Sequence, residues 1–286
     1  MHGKNIARGL LGAVGIWLTA GLALPFVNVL KSFTPEQLMF ARGIMTAIFA
    51  ILIMRGKVFP IDRYTLLSGV GFAFGCLGLY HGIRELGPSL AIIIITTAPV
   101  VNFLFAWGRG RHVSFAAIGS LVIMLAGVVF ALHPWNSTTT LTFKGVAWSI
   151  FGATSGALYY EALSKAKGSR LTRCFWQALV VALIAISGNM VTGSVVHIPE
   201  FKTMLLLVAF ALMGGFLYFI ANIEAFDNLP TEVASVLAQG ETPAVIIMAG
   251  VLLGEKLSLS QWLGVGIALL GAGYLSRWIS NQQKVS

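Results

Sequence analysis

The sequence predicts an all-α polytopic membrane protein with ten transmembrane helices, arranged as two inverted five-helix repeats around a central cavity. Three observations support this fold class. The 286 residues are 57% hydrophobic and 10% charged, with a mean hydropathy of +0.86, whereas soluble domains carry roughly 25% charged residues. Apolar runs of about 20 residues, long enough to cross a bilayer, recur along the chain. Segments of the two halves also resemble each other.

The apolar runs are separated by short polar breaks or by breaks that contain Pro and Gly, residues that interrupt helices. In chain order the predicted spans lie near residues 8–29, 36–54, 65–83, 89–107, 115–132, 144–163, 172–193, 202–225, 231–253 and 260–279. The longest connection has about eleven residues. No soluble domain fits in such a connection, so we expect the function to lie within or across the bilayer.

The distribution of Lys and Arg predicts that both termini face the cytoplasm. In that orientation the inner segments hold thirteen of the 19 basic residues, the outer loops hold five, and Arg42 lies inside a span. Excess positive charge on the cytoplasmic side is the usual pattern in membrane proteins. It explains the net charge of +9 without a nucleic-acid partner. The expected location is a bacterial inner membrane.

Two pairs of segments indicate an internal repeat over residues 1–135 and 136–286. ELGPSLAIIIITTAPVV (85–101) parallels NLPTEVASVLAQGETPAVI (228–246), and VSFAAIGSLVIMLAGVV (113–129) parallels LSLSQWLGVGIALLGAG (257–273). Five spans in each half, an odd number, give the second copy the opposite orientation. Inverted repeats are frequent in secondary transporters, where the site lies at the midplane. The alternative is a general likeness among apolar helices.

Several segments together resemble one known family. Trp17 lies in the first span and Lys31 at its outer end. Arg42 lies in MFARGIMTAIF, and TTAPVVNFLFAW lies in the fourth span. The most specific segment begins at Glu241, in GETPAVIIMAGVLLGEKLSLSQWLGVGIALLGAGYL. These segments resemble the ten-helix, EamA-type permeases of the drug/metabolite transporter superfamily, and the resemblance covers essentially the whole chain.

The resemblance also specifies positions. The family pattern of Glu and Pro close together, an apolar run and then Gly-Glu falls on Glu241, Pro243, Gly254 and Glu255. The first half departs from it, with GRGR at 108–111 in place of Gly-Glu. The resemblance implies a permease of metabolites or amino acids, commonly an exporter, without a cofactor. A drug or organic-cation exporter of the same fold is the alternative.

Glu241 is the leading candidate site residue because it lies about ten residues inside a predicted span. An ionised carboxylate at a helix centre costs roughly 2.5–3.5 kcal/mol on insertion scales. It is therefore expected to face a wet cavity, pair with a cation or carry a proton. The functional interpretation is proton coupling or control of the cavity's charge preference, and the structural one is a partner for an arginine. Gln239 lies on another face, and Pro243 predicts a local helix distortion.

Two groups near the outer ends of the second and third spans are further candidates. Arg42 has three interpretations: a site for a substrate carboxylate, a side chain that extends to the outer surface, or a partner of Glu36 or another acid. In YHGIRE (80–85), Tyr80 lies four residues before Arg84, and His81 four residues before Glu85. A role in binding and a pair at the membrane interface both fit this spacing.

The fourth span carries Thr96, Thr97 and Asn102 at the repeat position that corresponds to Gln239–Pro243. Threonine hydroxyls often bond to the preceding helical turn, but the Pro-containing segments of the two halves are also expected to meet near the pseudo-symmetry axis. Asn222 is expected to face the cavity from the eighth span. Aromatic surface for a substrate is expected from Trp17, Trp148, Tyr159, Tyr160 and Tyr218, and for each of them a place in the interface belt or in helix packing is the alternative.

A polytopic enzyme is the distant alternative, since it requires paired aspartates, a Ser/His pair or metal ligands. Asp62 and Asp227 lie near loops, and His81 has no second histidine within a span. Cys76 and Cys174 are interpreted as core thiols. A channel or structural subunit is a third possibility. We expect a small-molecule substrate and membrane lipid as partners, protons as the candidate coupling ion, a monomer or homodimer, and no catalytic residue, metal or cofactor.

Overall fold

A computed structural model describes residues 5–30, 32–56, 60–86, 88–133, 141–192, 200–254 and 256–285. Lys31 and Glu255, which belong to the family pattern, lie outside these ranges. All regular secondary structure within the described ranges is helical. The all-helical fold class is therefore confirmed.

The helices follow the predicted spans closely. They are α1 (Ile6–Val29), α2 (Pro35–Ile53), α3 (Arg63–Leu86), α4 (Pro88–Ile95), α5 (Ala98–Gly108), α6 (Phe115–Leu132), α7 (Phe143–Leu163), α8 (Arg170–Thr192), α9 (Phe201–Ala211), α10 (Tyr218–Asn228), α11 (Thr231–Ala238), α12 (Glu241–Leu253) and α13 (Leu259–Val285). A π-helical segment, Leu212–Leu217, joins α9 to α10.

Nine segments of the described chain are long and apolar enough to cross a membrane. The remaining predicted span is α7, whose 21 residues have the required length but include more polar side chains. Ser149, Ser155 and Glu161 of α7 are all buried. Its polar groups therefore face protein, which explains the weaker hydropathy of this helix. The chain is an integral membrane protein.

Three predicted spans are interrupted near their centres. The fourth breaks between α4 and α5 at Thr96–Thr97, and the ninth between α11 and α12 at Gln239–Gly240. The eighth contains the π-helical segment. The sequence predicts a distortion at Pro243, but the break lies just before it. Pro243 occupies the first turn of α12, where its missing N–H removes no helical hydrogen bond.

The helices pack in pairs that bring distant parts of the chain together. The most extensive contacts join α3 to α7, α6 to α13, α2 to α8 and α1 to α10. Glycines allow several of these contacts, because a residue without a side chain lets two helix backbones approach closely. A Cβ added to Gly78 would lie 2.5 Å from the backbone nitrogen of Gly152, and one added to Gly127 would lie 2.6 Å from the carbonyl oxygen of Gly264. At such points only glycine permits the observed distance.

Most ion pairs of the described residues lie at the end of the bundle that the Lys and Arg distribution predicts to be cytoplasmic. These pairs are Arg8–Glu224, Arg170–Glu224, Arg173–Asp227, Arg109–Glu161, Lys165–Glu161 and Arg111–Glu232. The opposite end has the Lys144–Glu85 pair at 2.6 Å, and there Nε2 of His81 lies 3.4 Å from the Glu36 carboxylate. The two arginines of the GRGR segment thus bind acids of α7 and α11.

Candidate functional site

A central cavity of about 110 Å³ lies where the three interrupted spans meet α1, α2, α3 and α7. The volume is sufficient for several water molecules or a small solute. The polar and sulfur-containing side chains in its wall are Arg42, Cys76, Tyr80, Tyr159, Tyr160, Tyr218, Gln239 and Glu241. Small and apolar residues complete it, including Ala20, Phe72, Gly75, Gly156 and Phe210. Five predicted site residues therefore share one cavity: Arg42, Tyr80, Tyr218, Gln239 and Glu241.

The π-helical segment determines where Arg42 lies. A Cβ on Gly215 would approach the Cγ of Arg42 to 3.3 Å and would collide with the hydroxyl of Thr46. Because glycine has no such atom, α2 lies directly against the segment. Thr46 donates a hydrogen bond to the carbonyl oxygen of Ala211 at 3.3 Å. This carbonyl immediately precedes the π-helical turn, a type of irregularity that is frequent at functional sites.

Arg42 is buried, and no carboxylate of the described residues pairs with it. Its side chain is 6% exposed, and its Cζ lies 4.7 Å from the ring centroid of Phe72 and 5.3 Å from that of Tyr218. It also approaches the Tyr80 hydroxyl. Among the described residues no carboxylate lies within 4 Å of its guanidinium, and its Nε has no hydrogen-bond partner. Aromatic faces stabilise a buried cation, so the charge remains available to a ligand.

Two alternatives for Arg42 are therefore wrong. Its burial excludes extension to the outer surface, and Glu36 does not pair with it. Instead the Glu36 carboxylate lies 3.4 Å from Nε2 of His81. His81 also stacks on Trp148, with ring centroids 4.6 Å apart and planes inclined by 26°. Glu36, His81 and Trp148 form a cluster that joins α2, α3 and α7 and does not line the cavity.

Glu241 is the first residue of α12 and follows the helix break directly. Its Oε2 accepts a hydrogen bond from the Tyr218 hydroxyl at 3.1 Å. The unpaired N–H groups at a helix N-terminus favour a negative charge at this position. No Lys, Arg or His of the described ranges lies within 4 Å of its carboxylate. Glu241 therefore lies in the wall of the cavity, which is one of the three predicted alternatives.

Trp17 holds the helix break in place and does not line the cavity. Its indole Nε1 donates to the carbonyl oxygen of Leu237, 2.6 Å away in the last turn of α11. Its ring lies directly over Gly240, where a Cβ would collide with it. Helix ends expose carbonyl groups that need partners. Trp17 supplies one and thereby positions the residue that precedes Glu241.

The corresponding break in the first half is capped by its own threonines. The Thr96 hydroxyl donates to the Ile92 carbonyl at 2.7 Å and the Thr97 hydroxyl to the Ile94 carbonyl at 2.5 Å. Bonding to the preceding turn, one of the two predicted alternatives, is thus confirmed. Neither threonine lines the cavity, nor does Asn102, which is 2% exposed and whose amide atoms have no partner in the described structure.

The remaining predicted residues divide between the cavity and the helix packing. Gln239 lines the cavity, approaches Tyr160 and donates to the Ser235 carbonyl at 3.2 Å. Pro243 is buried in α12 away from the cavity. Asn222 is fully buried and donates to the Tyr218 carbonyl at 2.9 Å. The sequence predicts that it faces the cavity, but it does not line it.

Two of the tyrosines expected to supply aromatic surface, Tyr159 and Tyr160, also line the cavity. Tyr159 is 2% exposed, and its hydroxyl has no hydrogen-bond partner in the described part of the chain. Cys76 packs against the hydrophobic core, as expected of a core thiol, and also lines the cavity, whereas Cys174 is fully buried. Both are free thiols. In the sequence, the unusual polarity of α7 is the signal that one face of this helix points inward.

Comparisons with known proteins find similarity to transporters. Residues 143–277 match the EamA-like transporter family. An uncharacterized transporter of Vibrio cholerae is 29% identical over 139 residues, which cover 46% of this chain and 44% of that relative. The match thus spans less than half of the relative's length. The uncharacterized inner membrane transporter YedA of Escherichia coli strain K12 is 21% identical over 241 residues, covering 79% of this chain and 75% of that protein.

A solved crystal structure has the same fold. It superimposes with a TM-score of 0.81 over 94% of this chain and 98% of that one, at 17% identity. The family and the names of the relatives support a membrane transporter. Among the described residues, no three His, Cys, Asp or Glu side chains form a group that could hold a metal ion.

Proposed function

We propose that this permease of the drug/metabolite transporter superfamily moves small zwitterionic metabolites, amino acids or related compounds, by alternating access at the central cavity. One observation carries the proposal. Arg42 and Glu241 line the same cavity, yet they are not within ion-pair distance of each other. A zwitterion carries one group for each of these charges, whereas an ion of a single sign matches only one of them.

The side of the cavity near Arg42 is suited to a carboxylate. A guanidinium presents parallel N–H donors that match the two oxygens of a carboxylate. The buried Nε of Arg42 and the hydroxyl of Tyr159 both lack a partner in the described structure, and both residues line the cavity. A buried donor without a partner costs free energy. Binding of a carboxylate there would supply acceptors to these donors.

The side near Glu241 is suited to an ammonium group. One carboxylate oxygen accepts from Tyr218, which leaves acceptor capacity for a ligand. Tyr218 also places its ring 5.3 Å from Cζ of Arg42. The same tyrosine therefore touches both charged groups and separates them. A ligand with its carboxylate and ammonium a few bonds apart, such as an α-amino acid, fits this arrangement.

The pairing of helices supports alternating access by two inverted repeats, residues 1–135 and 136–286. In the two repeats α1 corresponds to α7, α2 to α8, α3 to α10 and α6 to α13. The contact of α3 with α7 therefore corresponds to the contact of α10 with α1, and the α2–α8 and α6–α13 contacts each correspond to themselves. The helix breaks at Thr96–Thr97 and Gln239–Gly240 correspond in the same way. Transporters with such symmetry move one repeat against the other around a midplane site.

The proposed setting is the bacterial inner membrane, with both termini in the cytoplasm and export as the direction. The E. coli relative YedA is named an inner membrane transporter, which supports the same location here. Protons are the proposed coupling ion, with Glu241 as the group that exchanges them. The cavity groups that face it are Arg42, Cys76, Tyr80, Tyr159, Tyr160 and Tyr218.

Counterflow of labelled amino acids into proteoliposomes of the purified protein tests the proposal. We expect uptake of zwitterionic amino acids, with a loss of at least tenfold in Arg42→Gln and Glu241→Gln. Glu241→Gln is also expected to flatten the dependence of uptake on pH. Matched controls at the periphery are Arg84→Gln, on an exposed side chain, and Glu85→Gln, whose partner Lys144 is 70% exposed. Full uptake by both cavity variants would contradict the proposal.

An organic-cation exporter is the second candidate, because Glu241 and the ring of Tyr218 are both suited to a cation. Arg42 argues against it, since a like charge in the same cavity repels the ligand. The same proteoliposomes distinguish the two functions. A tetraalkylammonium ion transported better by Arg42→Gln than by the unmodified protein would favour the cation exporter.

A further inference from the structure

We propose that Gly75 and Gly156 determine how large a substrate side chain the cavity accepts. The inference rests on the proposed function for the class of substrate, and it assigns a specific role to two glycines on neighbouring helices. Gly75 belongs to α3 and Gly156 to α7, and both line the cavity. Some glycines of these two helices are required for helix packing, and others are not.

Along the contact of α3 with α7, some glycines are required for packing. A Cβ on Gly71 would lie 2.7 Å from the backbone nitrogen of Tyr159, and one on Gly78 would lie 2.5 Å from that of Gly152. Backbone atoms at these distances leave no room for a methyl group. These two positions hold the helices together on either side of Gly75.

Gly75 and Gly156 differ from these packing positions. A Cβ on Gly75 would have its nearest neighbour at 3.5 Å, the nitrogen of Gly156, and a Cβ on Gly156 would have its nearest at 3.8 Å, the Cβ of Ala98. Both are ordinary van der Waals distances. Neither glycine has a positive φ, so alanine fits the backbone. Alanine is also the better helix former. Neither packing nor backbone conformation therefore requires glycine at these positions.

What the two glycines provide is space inside the cavity. An independent observation points to a ligand site in this space: Arg42, 6% exposed, lines the same cavity with an Nε that has no partner in the described part of the chain. Tyr159, with its unpartnered hydroxyl, lies three residues after Gly156 and so on the same face of α7. A substrate whose carboxylate reaches these donors therefore lies beside the glycine wall. A methyl group added to that wall would occupy volume available to the substrate side chain.

Cys76 provides a size measurement that needs no substrate. It lines the cavity next to Gly75, and the other cysteine, Cys174, is fully buried. In a Cys174→Ala background, methyl and benzyl methanethiosulfonates are reacted with Cys76, and the ratio of their rates is taken. Because both reagents react with the same thiolate, the ratio depends on the space around it and not on the thiolate fraction.

We expect Gly75→Ala and Gly156→Ala each to lower the benzyl-to-methyl rate ratio at least tenfold. The matched controls are Gly119→Ala and Gly266→Ala, which introduce the same methyl group on α6 and α13 where nothing lies within 4 Å, and which should leave the ratio within twofold. Thermal unfolding in detergent verifies that the variants are folded. An unchanged ratio in both cavity variants, or a Cys76 that reacts with neither reagent, would overturn the inference.

The transport measurement separates this inference from the proposed function. Counterflow is measured with glycine, alanine, leucine and phenylalanine. In both cavity variants, the largest amino acid that is still transported should be smaller than in the unmodified protein. If the unmodified protein carries none of the four, the proposed substrate class fails, while the labelling ratio still tests the glycine wall. If it carries them and the size profile is unchanged in both variants, the glycine inference fails and the proposed function stands.

Discussion

Replacement of Gly240 by alanine tests how the helix break before Glu241 is held. Gly240 has φ −62° and ψ −9°, a conformation that alanine adopts without strain. The difficulty is therefore confined to the side chain. An added Cβ would lie 2.6 Å from Cζ2 of Trp17 and closer still to Cε2 and Nε1. The Trp17 ring must move, and its hydrogen bond to Leu237 would then be lost.

The size of the effect follows from three contributions to the free energy of unfolding. Insertion of a methyl group into a packed site costs about 1–3 kcal/mol. Loss of the indole hydrogen bond costs about 0.5–1.5 kcal/mol. Replacement of glycine restricts the unfolded chain and returns about 0.4–1 kcal/mol. We therefore expect Gly240→Ala to destabilise the protein by about 2 kcal/mol, more than a tenfold change in the folding equilibrium.

Reversible unfolding in mixed micelles measures this loss, with Gly266→Ala, whose added Cβ contacts nothing within 4 Å, as the matched control. Trp17→Leu should restore most of the stability in the Gly240→Ala background, because a smaller side chain leaves space for the methyl group. Leu237 retains one partner in that double variant, since its carbonyl also accepts from the Gly240 N–H at 3.0 Å. Equal stability of Gly240→Ala and the unmodified protein, with no coupling to Trp17, would refute the reasoning.

Two further predictions concern the end of the bundle rich in ion pairs. Asp227→Asn should lower the unfolding free energy by about 3 kcal/mol, because the Arg173 side chain, 4% exposed, would lose its carboxylate partner. Equilibrium unfolding measures this loss. The control is Glu85→Gln, which removes the partner of an exposed lysine and should cost about 1 kcal/mol or less. A phosphatase or fluorescent reporter fused after Ser286 should behave as a cytoplasmic fusion. An active phosphatase fusion together with a fluorescent fusion that does not fluoresce would contradict the predicted topology.

The spans could be predicted from the sequence because their signal is local. Length and hydropathy alone place the ninth span near 231–253, and α11 with α12 covers Thr231–Leu253. The weakest of the ten signals, α7, has a physical cause in the structure. Its serines and Glu161 are buried against other helices, so they reduce hydropathy without exposing polar groups to lipid.

The partners of polar side chains could not be predicted, because they depend on the rotation and contacts of helices far apart in the chain. His81 and Glu85 have the spacing of a helical pair, yet His81 approaches Glu36 of α2 and Glu85 binds Lys144 of α7. Trp17 likewise has a partner 220 residues away. The π-helical segment at Gly214–Gly215 has no reliable pattern in a single sequence, although it determines the position of Arg42.

The two charges of the cavity come from different halves of the chain. Arg42 lies in residues 1–135, and Glu241 with Tyr218 lies in 136–286. If the halves move against each other, the distance between Arg42 and Glu241 changes with them. A ligand shifts a conformational equilibrium only by the difference in its affinity for the two states. A zwitterion that reaches both charges in only one of the two states has a different affinity for each state. A ligand that binds a single charge has a smaller difference in affinity. We therefore expect Arg42→Gln and Glu241→Gln to impair exchange across the membrane more strongly than they impair binding.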